Sequence, residues 1–437
     1  MNMKAKKLIA VAAMSAVFVS HASEGATAPQ PREKAVAPVE LVSPTNGEVV
    51  AIVPDAQKKA MSLPTLEERI KLFADDKAHD KVLRHDKYWR MAKPFRLKWK
   101  VPAPGKWAAK VEIGKTPDLS DARVWYVRSS EVDDVSGREK EGGGTKGGVN
   151  AYVVPYANLE VARRYYWRVT LRNRCKKWNC GPRCSCVESK TVTRSSVGTF
   201  MTEDQAPRWI AIEGRVRNFR DLGGWHTQDG RRVRQGMIFR STGLNDNSAT
   251  GEAKGRNRMT VEDVKYMRDT LGIRSDLDLR STGETADLAE SPLGAGIKFV
   301  RHSSSCYEGI FRDDGKAKMA ANFRHLCDRK NYPVIMHCIG GADRTGSLAY
   351  VLNGVLGVSR HDIEVDWEST FYPRIPDRNP DPNVWCRESH FNKGFSKYGK
   401  DGDSWTRRIE LYLLDCGVTE AEIATFRSIM LEPADGK

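Results

Sequence analysis

Apolar and basic residues alternate along Phe95-Arg96-Leu97-Lys98-Trp99-Lys100-Val101, the two-residue period of a half-buried strand. Val111-Glu112-Ile113 is followed by the turn residues Thr116-Pro117-Asp118 and then by Val124-Trp125-Tyr126-Val127. A further aromatic strand reads as Arg164-Tyr165-Tyr166-Trp167-Arg168-Val169-Thr170-Leu171, and Val197-Gly198-Thr199-Phe200-Met201 closes the series. Short strands parted by turns predict an antiparallel β-sandwich over residues 40–204. Residues 62–93 break the pattern and predict an inserted helical segment, with Thr65 as N-cap of Leu66-Glu67-Glu68-Arg69-Ile70. After Glu203-Asp204-Gln205-Ala206-Pro207 the texture changes. Gly-rich turns, helical stretches and apolar strands alternate to residue 437, as in an α/β layered domain spanning 205–437.

The N-terminus reads differently. Lys4, Lys6 and Lys7 precede the apolar run Leu8 to Val19, and Ser20-His21-Ala22 has the small-x-small form of a cleavage site. About twelve apolar residues fall short of the roughly twenty that cross a bilayer, so residues 1–22 predict a cleaved signal peptide and an exported protein, periplasmic or secreted. Residues 23–39, rich in Ala, Pro, Glu and Ser, predict a linker, and no membrane span is expected in the mature chain. The net charge of +15, three of it in the leader, favours anionic partners, yet no run of five or more Lys or Arg marks a nucleic-acid arm, and no nucleic-acid partner is expected. Nine cysteines in an exported chain predict disulfides with one thiol left over. Cys175, Cys180, Cys184 and Cys186 have a spacing open to zinc, but export favours two local disulfides.

The left-over thiol has a candidate. Pro333-Val334-Ile335-Met336-His337 reads as a buried strand, Cys338 to Asp343 as a tight loop, and Arg344 onward as a buried helix. The main-chain N–H groups of Ile339, Gly340, Gly341, Ala342, Asp343 and Arg344 can form a nest at the positive end of that helix, and the two glycines permit the curvature. A tetrahedral dianion fits such a cradle. Arg344 can hold two of its oxygens with a fork that Lys lacks. The same positive field lowers the pKa of Cys338 and supplies a thiolate, so the loop carries covalent chemistry at phosphorus without metal or cofactor. The alternative is an inert or disulfide-bonded cysteine, with Cys306 or Cys327 as redox partner.

These residues resemble a known family. His337-Cys338-x5-Arg344-Thr345-Gly346 is similar to the phosphate loop of cysteine-based protein phosphatases, and Gly341 and Asp343 within it resemble the bacterial tyrosine and dual-specificity branch that includes secreted mycobacterial phosphatases. Arg217-Asn218-Phe219-Arg220-Asp221-Leu222-Gly223-Gly224, Ile238-Phe239-Arg240-Ser241 and Leu277-Asp278-Leu279-Arg280-Ser281 resemble further blocks of that branch in the same order. The likeness runs from about residue 210 to Leu431, where Leu413 to Glu420 with Ile423 and Phe426 resembles its terminal helix pair.

The resemblance implies attack of Cys338 on phosphorus, hydrolysis of a phosphocysteine, oxygens held by Arg344, and a hydrogen bond from Thr345 to the sulfur. Other tyrosine phosphatases draw their acid from an upstream Trp-Pro-Asp loop. No such tripeptide precedes Cys338 within residues 205–437, and Pro376-Asp377 lies downstream. In this branch the acid is Asp343, with Asp278 second and Asp313-Asp314 third, although Asp278 has an equal claim to a structural salt bridge with Arg280. His337, Asn218, Arg220, Asp221, Arg240 and Arg280 are expected to brace the site. The branch usually carries Lys where Ala342 stands, which weakens a polyphosphate substrate and favours phosphotyrosine, more broadly phosphoserine or phosphothreonine as well. The rivals are an inositol-phosphate or phosphoinositide phosphatase, an idle phosphate-binding surface protein and a rhodanese-like sulfur transferase. Residues 40–204 resemble a fibronectin type III or immunoglobulin-like domain on Ser43-Pro44-Thr45-Asn46-Gly47, Asn158-Leu159, the Tyr165 strand and Val197-Gly198-Thr199-Phe200. Such a domain is expected to meet a surface, glycan or partner protein.

Overall fold

The computed structural model describes residues 36–65, 67–68, 71, 92–102, 107–134, 148–173, 191–246, 257–285, 288–371 and 388–434. The described residues from Pro38 onward belong to one compact unit. The cysteine cluster at 175–186, Cys386, Pro376-Asp377 and most of the expected 62–93 insertion lie outside the described residues.

The N-terminal strands are β1 (Glu40–Ser43), β2 (Glu48–Val50), β3 (Arg96–Lys100), β4 (Trp107–Gly114), β5 (Arg123–Arg128), β6 (Asp133–Asp134), β7 (Val149–Val153), β8 (Arg164–Asn173), β9 (Thr191–Arg194) and β10 (Gly198–Thr202). They form two sheets, ordered β1-β3-β7-β6 and β2-β10-β8-β4-β5, with β9 beside β8. Alternate side chains of each, including Leu97, Trp99, Val111, Trp167, Val169 and Phe200, meet in one apolar core. The second sheet corrects the all-antiparallel expectation, because β2 runs parallel to β10. The cause is the turn between β1 and β2. Gly47 takes φ +80°, and Asn46 Oδ1 accepts the Thr199 N–H at 2.9 Å, so the chain changes sheet and returns beside β10.

Helix α1 (Asp55–Met61) begins earlier than the helical segment expected at 62–93. Glu203, just past β10, accepts the N–H groups of Ile52 and Val53 at 2.6 and 2.7 Å and pairs with Lys58, fixing the entry to α1. Thr65 and Glu68 do exchange reciprocal capping bonds.

The third sheet holds β11 (Arg220–Asp221), β12 (Ile238–Ser241), β13 (Ser275–Asp278), β14 (Lys298–Arg301) and β15 (Val334–His337), ordered β11-β12-β15-β13-β14. β12, β15, β13 and β14 run parallel. Such strands are covered on both faces, which is why Val334–His337 is buried throughout. Ile238, Leu277, Val334 and Met336 face one core; Phe239 and Ile335 face the other. Among the described residues the α-helices here are α2 (Val261–Lys265), α3 (Asp313–Leu326), α4 (Arg344–Val355), α5 (Arg360–Glu368), α6 (Glu388–Phe395), α7 (Trp405–Asp415) and α8 (Glu420–Met430). The last two occupy the place of the expected terminal pair. Thr419 caps α8 in a reciprocal box with Glu422.

Phe323 of α3 is fully buried with its ring centroid 5.0 Å from that of Phe426 on α8. Phe323→Ala removes this contact and leaves a cavity between the two helices. Its unfolding free energy in urea is expected to fall by about 3–5 kcal/mol.

Candidate active site

Parallel strands end together, and ligands gather where they end. Here the register sets His337 level with Ser241 on β12 and with Asp278 on β13, so the Cys338 loop leaves the sheet between two neighbouring strand ends. Gly341 makes the turn. Its φ is +63°, and a Cβ there would stand 2.3 Å from Ser241 O. Gly340 is not among the glycines with positive φ, so the expected freedom is used at Gly341 alone of the pair.

Cys338 is 2% exposed. Burial alone raises a thiol pKa, but Arg344, the Thr345 hydroxyl and the N–H groups of Thr345 and Gly341 outweigh it and hold Cys338 below the usual value. The Thr345 hydroxyl is buried with no other hydrogen-bond partner among the described residues. Cys327 and Cys416 show the opposite: burial pushes each up to about 12. Cys306, Cys327, Cys338 and Cys416 are all thiols rather than disulfides. Cys327 bonds the carbonyls of Phe323 and Glu422, away from the loop, whereas Cys306 lies within electrostatic range of Arg344.

Arg344 opens α4 and gives Nη1 and Nη2 to Glu284 at 2.7 and 2.8 Å. Glu284 belongs to the 3₁₀ turn Thr282–Glu284 and closes a reciprocal box with Ser281. Arg344 and the Ser281 N–H and hydroxyl outweigh burial, which raises the pKa, and bring its carboxyl down to about 2. A carboxylate depressed from 4.5 contributes fully above that value, and the clamp is released as the pH drops from about 4.5 toward 2. Nothing in the sequence pairs Glu284 with Arg344. The S-x-x-E spacing marks only its local turn.

A second ring of charge lies under the loop. Asn218, at φ +52°, donates to the carbonyls of Gly340 and Gly341 at 3.3 and 2.9 Å. Arg220 bonds Asn218 Oδ1 and, at 2.8 Å, Asp366. Arg240 bonds Asp366 at 2.6 Å and Gly341 O at 2.8 Å. Both guanidiniums are fully buried. Burial and Arg220 bring Arg240 down to about 9, while Asp366 and Cys338 keep it charged at neutral pH. Asp366, on α5, is the shared counter-ion that sequence reasoning missed. An acid on an amphipathic helix gives no sign of its partners.

The other predicted residues divide. Asp278 is fully buried and bonds Arg280 through both oxygens, at 2.7 to 3.2 Å. Burial raises its pKa, but His337 and Arg280 lower it further, so on balance it lies below the usual carboxylate value, engaged with Arg280 as the alternative structural reading has it. His337 bonds Asp276 at 2.8 Å and stands 3.7 Å from Asp278. Burial opposes its charge, yet the two aspartates raise it. Asp221 does not brace the loop: it takes Arg208 at 3.0 Å and the N–H groups of Gly223 and Gly236. Asp313 and Asp314 open helix α3 rather than a loop at the site. Asp343, the loop's own acid, accepts the hydroxyl of Tyr307, whose N–H in turn donates to Ser347 Oγ at 3.2 Å. Tyr307 was not foreseen. Gly346 is explained by Trp367 of α5, whose ring carbon would lie 2.8 Å from a Cβ there.

A buried cysteine held below its usual pKa, the N–H groups of Gly341 and Thr345 beside it and a clamped guanidinium form a site that can hold a nucleophilic sulfur next to an anion. Residues 211–432 match the sequence profile described as tyrosine phosphatase family, half of the chain, and the chain belongs to that family. A protein named as a tyrosine-protein phosphatase in Cupriavidus necator is 28% identical over 189 residues, 36% of this chain and 64% of that relative's length. The core catalytic domain of the PP-IP phosphatase Siw14 from S. cerevisiae, solved with citrate, is 16% identical and covers 43% of this chain and 93% of its own, at a TM-score of 0.26. A second structure of the Siw14 catalytic core, also 16% identical, has a TM-score of 0.22.

Two outcomes follow from the geometry. Arg344→Ala removes the main charge that lowers Cys338, so the pH of half-maximal iodoacetamide labelling is expected to rise. Asp366→Ala leaves Arg220 and Arg240 buried without their shared counter-ion. Urea unfolding is expected to show a loss of about 3–5 kcal/mol.

Proposed function

We propose that the chain hydrolyses phosphate monoesters, phosphotyrosine foremost, through a phosphocysteine. The observation that carries this reading is Cys338, buried in a loop that turns at Gly341 and ends at Arg344, with the Glu284-clamped guanidinium, the Thr345 hydroxyl and main-chain N–H groups beside its sulfur. Cys338 Sγ attacks phosphorus and the ester P–O bond breaks, while the departing oxygen takes a proton from Asp343. Water then attacks the phosphocysteine, its proton returns to Asp343, and the S–P bond breaks as Thr345 steadies the sulfur. Tyr307 orients the acid. Arg344 holds the equatorial oxygens in both steps.

One observation favours a second reading, hydrolysis of an inositol phosphate or phosphoinositide. Ala342 leaves the loop without a lysine, but three arginines gather at its edge. Arg258 donates to Gly243 O at 3.4 Å, and Gly243 N–H donates to Ile339 O at 3.1 Å. Arg215 and Arg258 share Asp246, and Arg217 lies close enough for burial and both neighbours to lower its pKa. Such crowding of like charge suits a substrate with further phosphates. Phosphate release from a phosphotyrosine peptide and from phosphoinositide vesicles separates the two readings.

The proposal extends to residues 1–204. The leader supports export, and the two N-terminal sheets with their common core support a fibronectin type III-like sandwich facing a partner or surface.

Cys338→Ser is expected to lose at least about a thousandfold in turnover of a small aryl phosphate while still binding vanadate, a phosphate analogue. Equal rates for the two proteins would remove the mechanism. Asp343→Asn is expected to lower kcat by about a hundredfold or more, with the larger effect on esters of poor leaving groups.

A further inference from the structure

Gln57 lies on α1, in the N-terminal part of the chain, and is fully buried. Its amide spends both ends on the catalytic part. Oε1 accepts the indole N–H of Trp209 at 2.7 Å, and Nε2 donates to Ser369 Oγ at 3.1 Å. Ser369 Oγ already donates to Val365 O at 2.8 Å, so it is committed to accept from Gln57.

Both contacts continue to the phosphate loop. The guanidinium of Arg220 lies over the Trp209 ring, 5.2 Å from its centroid. Thr370, the neighbour of Ser369 in the 3₁₀ turn Ser369–Phe371, accepts from Arg220 Nη2 at 3.3 Å and from Asn218 Nδ2 at 3.4 Å. Asn218 is the residue whose amide holds the carbonyls of Gly340 and Gly341. Gln57 and Trp209 both precede residue 211, where the family match begins.

We propose that α1 is a built-in brace of the phosphate loop: Gln57, a positioning residue, holds Trp209 and Ser369 so that Arg220, Thr370 and Asn218 keep the loop carbonyls, and hence its N–H groups, in place. The N-terminal part then has a second function beside any partner it meets, as a structural piece of the catalytic site. Helix α1 can serve because its own entry is pinned by Glu203. An interdomain amide buried for adhesion alone would have no reason to contact both flanks of the residues under the loop.

The inference rests on the phosphatase reading for its effect on turnover, but not for its effect on the loop. The test uses the full chain with Gln57→Met, which keeps shape and loses both hydrogen bonds, and Trp209→Phe, which keeps the ring under Arg220 and loses the N–H. Lys59→Ala, exposed on the same helix, is the control. Two quantities are read: kcat for an aryl phosphate, and the pH midpoint of Cys338 labelling by iodoacetamide. The brace predicts a fall in kcat of about tenfold with little change in KM, and a labelling midpoint moved upward, in both variants and not in the control. Should Gln57→Met fail to fold, Trp209→Phe carries the test alone. A lower melting temperature with kcat and labelling midpoint as in wild type overturns the brace and leaves the phosphatase reading standing. If wild type shows no turnover, that reading falls, and the labelling midpoints still decide for or against the brace.

Discussion

Holding the Cys338 thiol below its usual pKa while burying it is the constraint that organises this molecule. Burial penalises the charged form of any thiol, and the chain displays that penalty at Cys327 and Cys416, both pushed up to about 12. Cys338 is more deeply buried than either and is shifted the other way. The difference is the company it keeps: one guanidinium, one hydroxyl and main-chain N–H groups aimed at the sulfur. Those donors hold a charge only while they stay aimed, so position, not composition, sets the chemistry of the loop.

That requirement accounts for the charge placed beneath it. Arg220 and Arg240 are fully buried, an expensive arrangement that two well-packed apolar residues would avoid. What the pair provides is direction. Through Asp366 they form a fixed fork, and from it Arg240 and Asn218 grip the carbonyls of Gly340 and Gly341. A carbonyl held on one side of a peptide plane fixes the N–H on the other. Arg344 is fixed by a separate carboxylate, Glu284, so loop and guanidinium are braced from different segments.

Much of this was legible where chemistry is contiguous in sequence. Cys338 to Arg344 announces its loop, the alternation of Leu97, Trp99 and their neighbours announces strands, and Asp278 at the end of β13 with Arg280 two residues on announces its own salt bridge. Legibility ended where the partner comes from elsewhere in the fold. Glu284 meets Arg344 across sixty residues, Asp366 reaches back to β11 and β12, and Gln57 reaches furthest of all. Parallel strands explain why. Their crossovers bring distant segments to the same edge without leaving a local period to read. Asp221 shows the converse, since its neighbours in the motif touch the loop or its brace while it points at Arg208 and the seam with the N-terminal sheets.

The proposed acid makes rigidity still more important. Where the proton donor sits on a separate mobile loop, closure can correct its position after the substrate arrives. In the proposed mechanism Asp343 sits within the same loop as Cys338, so nucleophile and acid cannot be adjusted independently. Any error in the loop moves both. Tyr307 holds the acid from the segment before α3, Asn218 and Arg240 hold the backbone from below, and Trp367 packs against Gly346 where α4 begins. A site that has given up a moving part must draw its precision from the scaffold around it, and here that scaffold extends beyond the family's own residues into the helix that carries Gln57.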